Sequence, residues 1–319
     1  MKPRVLITER LDDGCAAWLA ERAELVWVSH SDPRKMAEAL PEAQGMVVRT
    51  YTRVDAALLT AAPKLRVVGR AGVGLDNVDL DACREAGVRV VYTPDANTQA
   101  VVEYVTGLML KHVRPFTTLP GPPEVADAET FHAMRKTEVG VQLDERTLGI
   151  LGFGRIGKRL GAVAHAIGMN LLVCDLLPEA ELRKAVDYPF DFVSHAELYA
   201  GSDIVSVHVD GRAENRGLID AAAFAAMRPT AHFINAARGM LVDHEALLAW
   251  AEANPDAHAT LDVHDPEPPP EDSPLHRAER VVLLPHLASR TDTALKNMSW
   301  VVRDVAAVLA GEEPRFPAA

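Results

Sequence analysis

The chain has 319 residues, of which 48% are hydrophobic and 24% are charged. This is the composition of a globular protein, and the length exceeds the ~250–300 residues at which one hydrophobic core stops growing, so we expect two domains. With 33 basic and 45 acidic side chains, the formal net charge is −12, which disfavours a protein that binds nucleic acid by neutralising its phosphates.

The cysteines and the N-terminal segment both favour a reducing compartment. Cys15, Cys83 and Cys174 are odd in number and lack the spacing of a disulfide framework or a zinc site. The first residues lack the roughly 7–15 consecutive apolar residues of a signal peptide, and no run approaches the ~20 needed to cross a bilayer. We therefore expect a cytoplasmic protein with no membrane contact and no metal.

Short β-branched runs alternate with helix-like stretches along the chain. Four runs come first, at 4–8, 45–50, 65–70 and 88–93, and six follow, at 147–152, 170–175, 203–209, 231–237, 259–264 and 281–286. Strands that alternate with helices in this way form parallel sheets with right-handed crossovers. The predicted fold class is α/β, with two Rossmann- or flavodoxin-like parallel-sheet domains and a cleft between them.

A predicted helix separates the two groups of strands. Apolar residues recur at helical spacing over 101–109, and the prolines after this segment end the helix. A last helix is predicted to begin near Ser289, where SRTD has capping-box spacing, and to run to Gly311. No strand follows it, so we expect it to return to the first lobe. The predicted domains are 1–97 with 289–319, which would bind the substrate, and 98–288, which would bind a dinucleotide.

A glycine motif follows the first strand of the second group. Gly152, Gly154 and Gly157 form G-x-G-x-x-G between the strand TLGIL and a predicted helix. In a nucleotide-binding turn the first glycine makes the turn, the second lets a pyrophosphate approach the backbone, and the third brings the helix close to the strand. A buried strand that ends at a tight turn would also place glycines here.

The acid at the end of the next strand favours the nucleotide-binding interpretation. Asp175 closes NLLVCD at about the ~20-residue distance expected for a carboxylate that binds the adenosine ribose. No basic residue follows before Arg183, so a 2′-phosphate would meet a carboxylate without a nearby cation. The predicted cofactor is therefore NAD rather than NADP.

Three polar residues follow later strands of the second group. They are Arg238 in INAARG, Glu267 in DVHDPEP and His286 in PHLAS. Ligands of open α/β sheets bind outside the carboxyl ends of the strands, so these side chains could reach one site. Arginine holds a carboxylate, histidine exchanges protons near neutral pH, and a carboxylate beside the histidine fixes its tautomer. Taken singly, the arginine could also be a surface cation, the glutamate a loop acid and the histidine an incidental one.

In these motifs and in further segments, the chain resembles the D-isomer-specific 2-hydroxyacid dehydrogenase family. The matching segments run in order from about residue 45 to 295 as GRAGVGLDNVD, TPDANTQAVVEYV, TLGILGFGRIG, INAARG, DVHDPEP and PHLASRT. The resemblance implies that Arg238, Glu267 and His286 are catalytic. It also implies a flavodoxin-like substrate domain completed by the C-terminal helix, and a homodimer formed through the nucleotide domain.

Within the family the chain looks most like 3-phosphoglycerate dehydrogenases. The resemblance implies a small acidic substrate, bound by Arg49, Thr50, Gly72, Val73, Gly74 and Asn97. The candidate cofactor-binding residues are Gly152, Gly154, Arg155, Ile156, Gly157, Asp175 and Asp262. Two positions depart from the family pattern: Asp210 stands where proline is common, and the tryptophan often found just before the arginine at position 135 is absent. The chain ends soon after Gly311, so we expect no C-terminal regulatory domain.

The resemblance implies an NAD-dependent oxidoreductase that interconverts an (R)-2-hydroxy acid and its 2-oxo acid. The substrate stays open among 3-phosphoglycerate, hydroxypyruvate and glyoxylate types, as does the physiological direction. Formate dehydrogenases resemble the family too, but there the partner of the histidine resembles glutamine, and Glu267 argues against them. The alternative from a different class is an NAD-sensing binding protein that resembles a transcriptional corepressor.

Overall fold

The computed structural model describes residues 2–114, 116–121 and 127–318. The chain divides into two compact units, Met1–Ala100 with Ser289–Ala319, and Val101–Ala288. The division falls within a helix, Thr98–Val113, that was predicted to open the second domain at residue 98.

The strands of the described residues alternate with helices. The strands are β1 Arg4–Ile7, β2 Glu24–Trp27, β3 Gly45–Val48, β4 Val67–Arg70, β5 Arg89–Tyr92, β6 Thr147–Leu151, β7 Asn170–Cys174, β8 Asp191–Phe192, β9 Ile204–Val207, β10 His232–Asn235, β11 His258–Leu261 and β12 Val281–Leu283. The helices are α1 Asp13–Ala20, α2 Pro33–Ala39, α3 Ala56–Ala61, α4 Leu80–Glu85, α5 Thr98–Val113, α6 Ala128–Thr137, α7 Arg155–Ile167, α8 Glu179–Lys184, α9 His195–Gly201, α10 Ala221–Ala226, α11 His244–Ala253, α12 Asp292–Ser299 and α13 Val301–Ala310.

The first unit contains a parallel sheet of flavodoxin-like order. Its described strands run β2-β1-β3-β4-β5, and the order reverses between β1 and β3. Helix α13 packs against this sheet at two glycines. A Cβ on Gly69 would lie 2.4 Å from Val305 Cγ2, and one on Gly45 would lie 3.4 Å from Val305 Cγ1. The C-terminal helix therefore belongs to the core of the first unit.

The second unit contains a doubly wound parallel sheet. Its described strands run β12-β11-β10-β9-β6-β7-β8, so the order reverses between β6 and β9. Sheets of this kind bind ligands outside the carboxyl ends of the strands at such a switch point. The prediction of two parallel-sheet α/β domains is confirmed.

Three local predictions differ from the structure. Strands β2 and β8 were not predicted, because β2 is a half-exposed edge strand and β8 has only two residues. The last helix does not begin with a cap at Ser289. Thr291 is the N-cap, since its side chain accepts a hydrogen bond from the Ala294 N–H at 3.0 Å. The helix is also divided at Trp300 into α12 and α13.

Candidate active site

The glycine turn joins β6 to α7, and at two of its glycines the backbone leaves no room for a side chain. Gly152 has φ 92°, in the left-handed region, and its Cβ would lie 2.8 Å from the backbone carbon of His208. A Cβ on Gly157 would lie 2.3 Å from the Gly152 carbonyl oxygen. The first and third glycines therefore set the close approach of strand, turn and helix.

The middle glycine faces open space. Gly154 is exposed, and a Cβ there would meet nothing within 4 Å. It is the N-cap of α7 and forms no side-chain cap, so the first N–H groups of the helix, at Arg155 and Ile156, have no side-chain acceptor at the cap position. A helix N-terminus of this kind binds anions through its N–H groups and its positive dipole end. The turn therefore fits the pyrophosphate of a dinucleotide.

Asp175 lies beside the turn. Its Oδ2 accepts a hydrogen bond from the Phe153 N–H at 2.5 Å, and its Oδ1 accepts one from the Leu177 N–H at 2.8 Å. Phe153 stands between the first two glycines, so the carboxylate is next to the anion-binding turn. This is the place expected for an acid that binds a ribose whose pyrophosphate lies on the turn.

Asp210, the departure from the family pattern, follows β9 and pairs within its own loop. Its carboxylate accepts hydrogen bonds from the Arg212 side chain at 2.5 and 2.8 Å, and from Asn215 at 2.9 Å. These hydrogen bonds from Arg212 lower the pKa of Asp210. The substitution for proline therefore places an exposed ion pair after β9.

The three candidate catalytic side chains follow three neighbouring strands. Arg238 follows β10, Glu267 follows β11 and His286 follows β12, and these strands are adjacent in the sheet. The buried Asn235 shapes the turn before the arginine. Its amide donates to the Arg238 carbonyl oxygen at 2.8 Å and accepts from the Ala237 N–H at 3.0 Å.

Glu267 and His286 form a hydrogen-bonded pair. The Glu267 Oε1 lies 2.6 Å from the His286 Nδ1, and each side chain is about one-third exposed. Burial acts to raise the pKa of Glu267, but the hydrogen bond and charge of His286, together with His264, outweigh it and the net shift is downward. An ionised carboxylate at Nδ1 leaves the other ring nitrogen, Nε2, for proton exchange with a substrate.

Asp262 supports the backbone of the histidine loop. His286 has φ 54°, a left-handed conformation that is unusual for a residue other than glycine. Directly after it, the N–H groups of Leu287 and Ala288 each donate to the Asp262 carboxylate at 2.8 Å. Asp262 is fully buried and also accepts from the Tyr104 hydroxyl at 3.1 Å. It was predicted to bind the cofactor, and here its oxygens hold the segment that carries the histidine.

The candidate substrate residues lie in the first unit, after neighbouring strands. Arg49 and Thr50 follow β3, the loop from Gly72 to Gly74 follows β4, and Asn97 follows β5. Gly72 has φ 150°, and a Cβ there would lie 1.7 Å from the Arg70 Nη1. The buried Asn97 Oδ1 has no hydrogen-bond partner among the described residues. Such an acceptor is suited to a ligand hydroxyl or N–H group.

Each unit thus brings one set of predicted residues to the carboxyl edge of its own sheet. The predicted cofactor and catalytic residues share the edge of the second sheet, and the predicted substrate residues share the edge of the first. Two residues that contact these sets were not predicted as site residues. They are Tyr104, which donates to Asp262, and Glu9, which accepts from the N–H groups of Arg49 and Thr50. Tyr104 lies on α5, far in sequence from Asp262. Glu9 is the second residue after β1, and its position near the strand end was a signal that could have identified it.

Two other kinds of feature, a metal site and a membrane-spanning helix, are absent from the described residues. No group of three or more histidine, cysteine, aspartate or glutamate side chains could hold a metal ion. No described helix is both long enough and apolar enough to cross a membrane.

Known proteins are similar to the chain over nearly its whole length. It is 37% identical over 315 residues to a D-3-phosphoglycerate dehydrogenase of Mycobacterium leprae, covering 97% of this chain and 57% of that protein. The chain thus spans little more than half the length of that relative. The TT0316 protein from Thermus thermophilus superposes with a TM-score of 0.85 at 31% identity, covering 99% and 100% of the two chains. A glyoxylate reductase from Paecilomyes thermophila superposes with a TM-score of 0.81 at 27% identity, covering 99% and 98%.

A family profile covers more than half of the chain. Residues 106–288 match the profile described as D-isomer specific 2-hydroxyacid dehydrogenase, NAD binding domain. This segment contains the glycine turn, Asp175 and the pair formed by Glu267 and His286. The chain therefore belongs to the D-isomer specific 2-hydroxyacid dehydrogenase family.

Proposed function

We propose that the protein is an NAD-dependent oxidoreductase that interconverts an (R)-2-hydroxy acid and its 2-oxo acid. The observation that carries this proposal is the 2.6 Å contact between Glu267 and His286, at the same sheet edge as the glycine turn and Asp175. A proton-exchanging pair beside a dinucleotide site is what hydride transfer to a carbonyl requires. In this proposal the second unit binds the dinucleotide and the first unit binds the substrate.

The reaction has a role for each side chain. When bound, NADH supplies the hydride that adds to the carbonyl carbon. His286 donates a proton from Nε2 to the carbonyl oxygen, and Glu267 holds Nδ1 and so fixes the orientation of the ring for that transfer. Arg238 aligns and polarises the substrate through a guanidinium that stays charged. The products are the 2-hydroxy acid and NAD⁺, and the reverse reaction uses His286 as the base.

The cofactor preference follows from Asp175. Its carboxylate lies beside the turn, and the next two residues, Leu176 and Leu177, are exposed and uncharged. A 2′-phosphate near Asp175 would meet a like charge, whereas ribose hydroxyls can donate to it. We propose NAD as the cofactor on this ground.

The substrate is proposed to be a small acid of the 3-phosphoglycerate, hydroxypyruvate or glyoxylate type. A half-buried Arg49 and the amides of Val73 and Gly74, in the loop after β4, support an anionic ligand. The D-3-phosphoglycerate dehydrogenase and the glyoxylate reductase described above also support this class.

Oxidation of NADH with glyoxylate, hydroxypyruvate and phosphohydroxypyruvate at matched concentrations tests the proposal, with NADPH as the comparison. A preference for phosphohydroxypyruvate assigns the phosphorylated substrate, and a preference for the other two acids assigns a reductase of hydroxypyruvate or glyoxylate type. Tight NADH binding without turnover of any acid would contradict the proposal of an oxidoreductase and favour an NAD-sensing binding protein.

We further propose a homodimer in the cytoplasm. Large apolar side chains are exposed close together in the sequence of the second unit, at Phe116, Leu119, Phe131 and Val139, with Phe116 72% and Val139 78% exposed. Apolar surface of this kind favours association with a second copy. The three buried, free cysteines fit a reducing compartment. Sedimentation of the purified protein tests the dimer, and a monomer at micromolar concentration would contradict it.

A further inference from the structure

A half-buried carboxylate holds the segment that carries Arg49 and Thr50. Glu9 is the second residue after β1, and residues 49–52 directly follow β3, the parallel neighbour of β1. Four successive backbone N–H groups donate to the Glu9 carboxylate, from Arg49 at 2.9 Å, Thr50 at 2.9 Å, Tyr51 at 3.2 Å and Thr52 at 3.2 Å. The segment is therefore wrapped around one side chain.

A second side chain holds the carbonyl groups of the same segment. The Asn77 amide donates to the Arg49 carbonyl oxygen at 3.0 Å and to the Thr52 carbonyl oxygen at 2.6 Å. The Arg49 guanidinium donates to the Arg10 carbonyl oxygen at 3.1 Å. Neighbouring elements of the first unit thus fix the N–H groups of residues 49–52, the carbonyl groups of Arg49 and Thr52, and the Arg49 guanidinium.

The charge state of Glu9 strengthens this arrangement. Burial acts to raise the pKa of Glu9, but the hydrogen bonds from the four backbone N–H groups outweigh it, so the net shift is downward. The side chain is therefore ionised at neutral pH. Hydrogen bonds to a charged acceptor are about twice as strong as those between neutral groups.

We propose that Glu9 is a positioning residue for substrate binding, which holds the segment 49–52 in the conformation that presents Arg49 and Thr50 to an acidic substrate. The inference rests on the proposed function. Both Glu9 oxygens accept hydrogen bonds from the backbone of residues 49–52, so its proposed role is to position this segment rather than to react. A loop that is ordered before the ligand arrives costs less free energy to bind, so loss of this order weakens substrate binding rather than hydride transfer.

The test variant is Glu9→Gln, which keeps the shape but replaces one charged oxygen with an NH₂ group that cannot accept from the backbone. Its KM for the acid that wild type reduces best should rise about tenfold or more, as expected for a lost hydrogen bond to a charged group. Its kcat should stay within about twofold, and its Kd for NADH should not change. Glu9→Asp, which keeps the charge, should have a KM closer to that of wild type.

Glu24→Gln is the matched control, because Glu24 is an exposed acid of the same unit that pairs with Arg4 at 2.9 Å; its KM should equal that of wild type. If Glu9→Gln does not fold, Asn77→Ser removes the other half of the same support and carries the same prediction. If wild type is active, two results would overturn the inference. One is an unchanged KM, and the other is a rise in KM that is matched by equal falls in kcat and in NADH affinity. A wild type that reduces no 2-oxo acid would overturn the proposed function instead.

Discussion

His286 is held by two carboxylates that act on different parts of the residue. Glu267 contacts the ring nitrogen at 2.6 Å and bears on proton exchange. Asp262 accepts from the two backbone N–H groups that follow the histidine, and so supports its left-handed φ of 54°. A residue in that conformation persists only when its surroundings hold it there. The orientation of the ring therefore depends on a buried acid that does not touch it.

The variant Asp262→Asn tests this dependence. The amide can accept only through its oxygen, so the N–H of Leu287 or of Ala288 loses its partner. We expect kcat to fall about tenfold and the free energy of unfolding to fall by about 2 kcal/mol, the cost of a buried unpaired polar group. Kinetics and urea unfolding measure the two effects. A variant with the wild-type kcat would show that Asp262 does not orient His286.

At the scale of the elements, the turn between β6 and α7 has one glycine whose Cβ position is filled by the protein and another whose Cβ position is open to a ligand. The Cβ position at Gly157 is filled by the Gly152 carbonyl oxygen at 2.3 Å, whereas the Cβ position at Gly154 is open. Both glycines belong to one motif, but alanine should affect them in opposite ways. This difference follows from the backbone geometry alone.

We expect Gly157→Ala to lower the melting temperature by several degrees, because the methyl group displaces the backbone of the turn. Gly154→Ala should keep the wild-type melting temperature but weaken NADH binding at least about tenfold, since the methyl group enters the proposed pyrophosphate space. Thermal unfolding and NADH fluorescence titration measure both properties. Full NADH affinity in Gly154→Ala would contradict the assignment of the turn.

The limits of sequence-based prediction are clearest among the elements. Ten strands were predicted because each is a short apolar run bounded by polar residues, whereas edge strand β2 presents half-exposed residues and lacks that signal. The cap at Thr291 rather than Ser289 depends on which hydroxyl reaches the Ala294 N–H, and spacing alone does not decide that. The contacts of Glu9 with residues 49–52, and of Asp262 with the loop after His286, join strand ends far apart in sequence. The roles of the candidate site residues stay predictions.

At the scale of the whole molecule, a cluster of three histidines lies away from the carboxyl ends of the strands and bears on stability. The rings of His112, on α5, and His232, at the start of β10, have centroids 4.0 Å apart, and His258, at the start of β11, lies 4.8 Å from His112. Burial and the neighbouring His258 and Arg146 lower the pKa of His112 to about 4. Burial, His112 and His258 also lower the pKa of His232. Burial also lowers the pKa of His258; Arg280 adds to this shift and Asp256 opposes it.

This histidine cluster predicts a loss of stability in mild acid. The folded pKa of His112 lies below the unfolded value of 6.5, so its stabilisation is complete above pH 6.5 and is lost as the pH falls towards 4. After an allowance for solvent screening, the loss is about 2 kcal/mol. The free energy of unfolding of His112→Asn should therefore change less than that of wild type between pH 6.5 and 5. The exposed His132→Asn serves as control, and equal slopes in all three proteins would contradict the prediction.

The most direct test of the central claim follows the product of hydride transfer and the residue that protonates it. Wild type and His286→Gln are supplied with NADH and either hydroxypyruvate or phosphohydroxypyruvate, whichever wild type reduces faster, because both give a chiral hydroxy acid. NADH consumption and the chirality of the product are measured. We predict that wild type forms the (R)-2-hydroxy acid, and that His286→Gln binds NADH equally well but turns over at least about 100-fold more slowly. Equal turnover by the two proteins, or NADH binding by wild type without any turnover, would contradict the account.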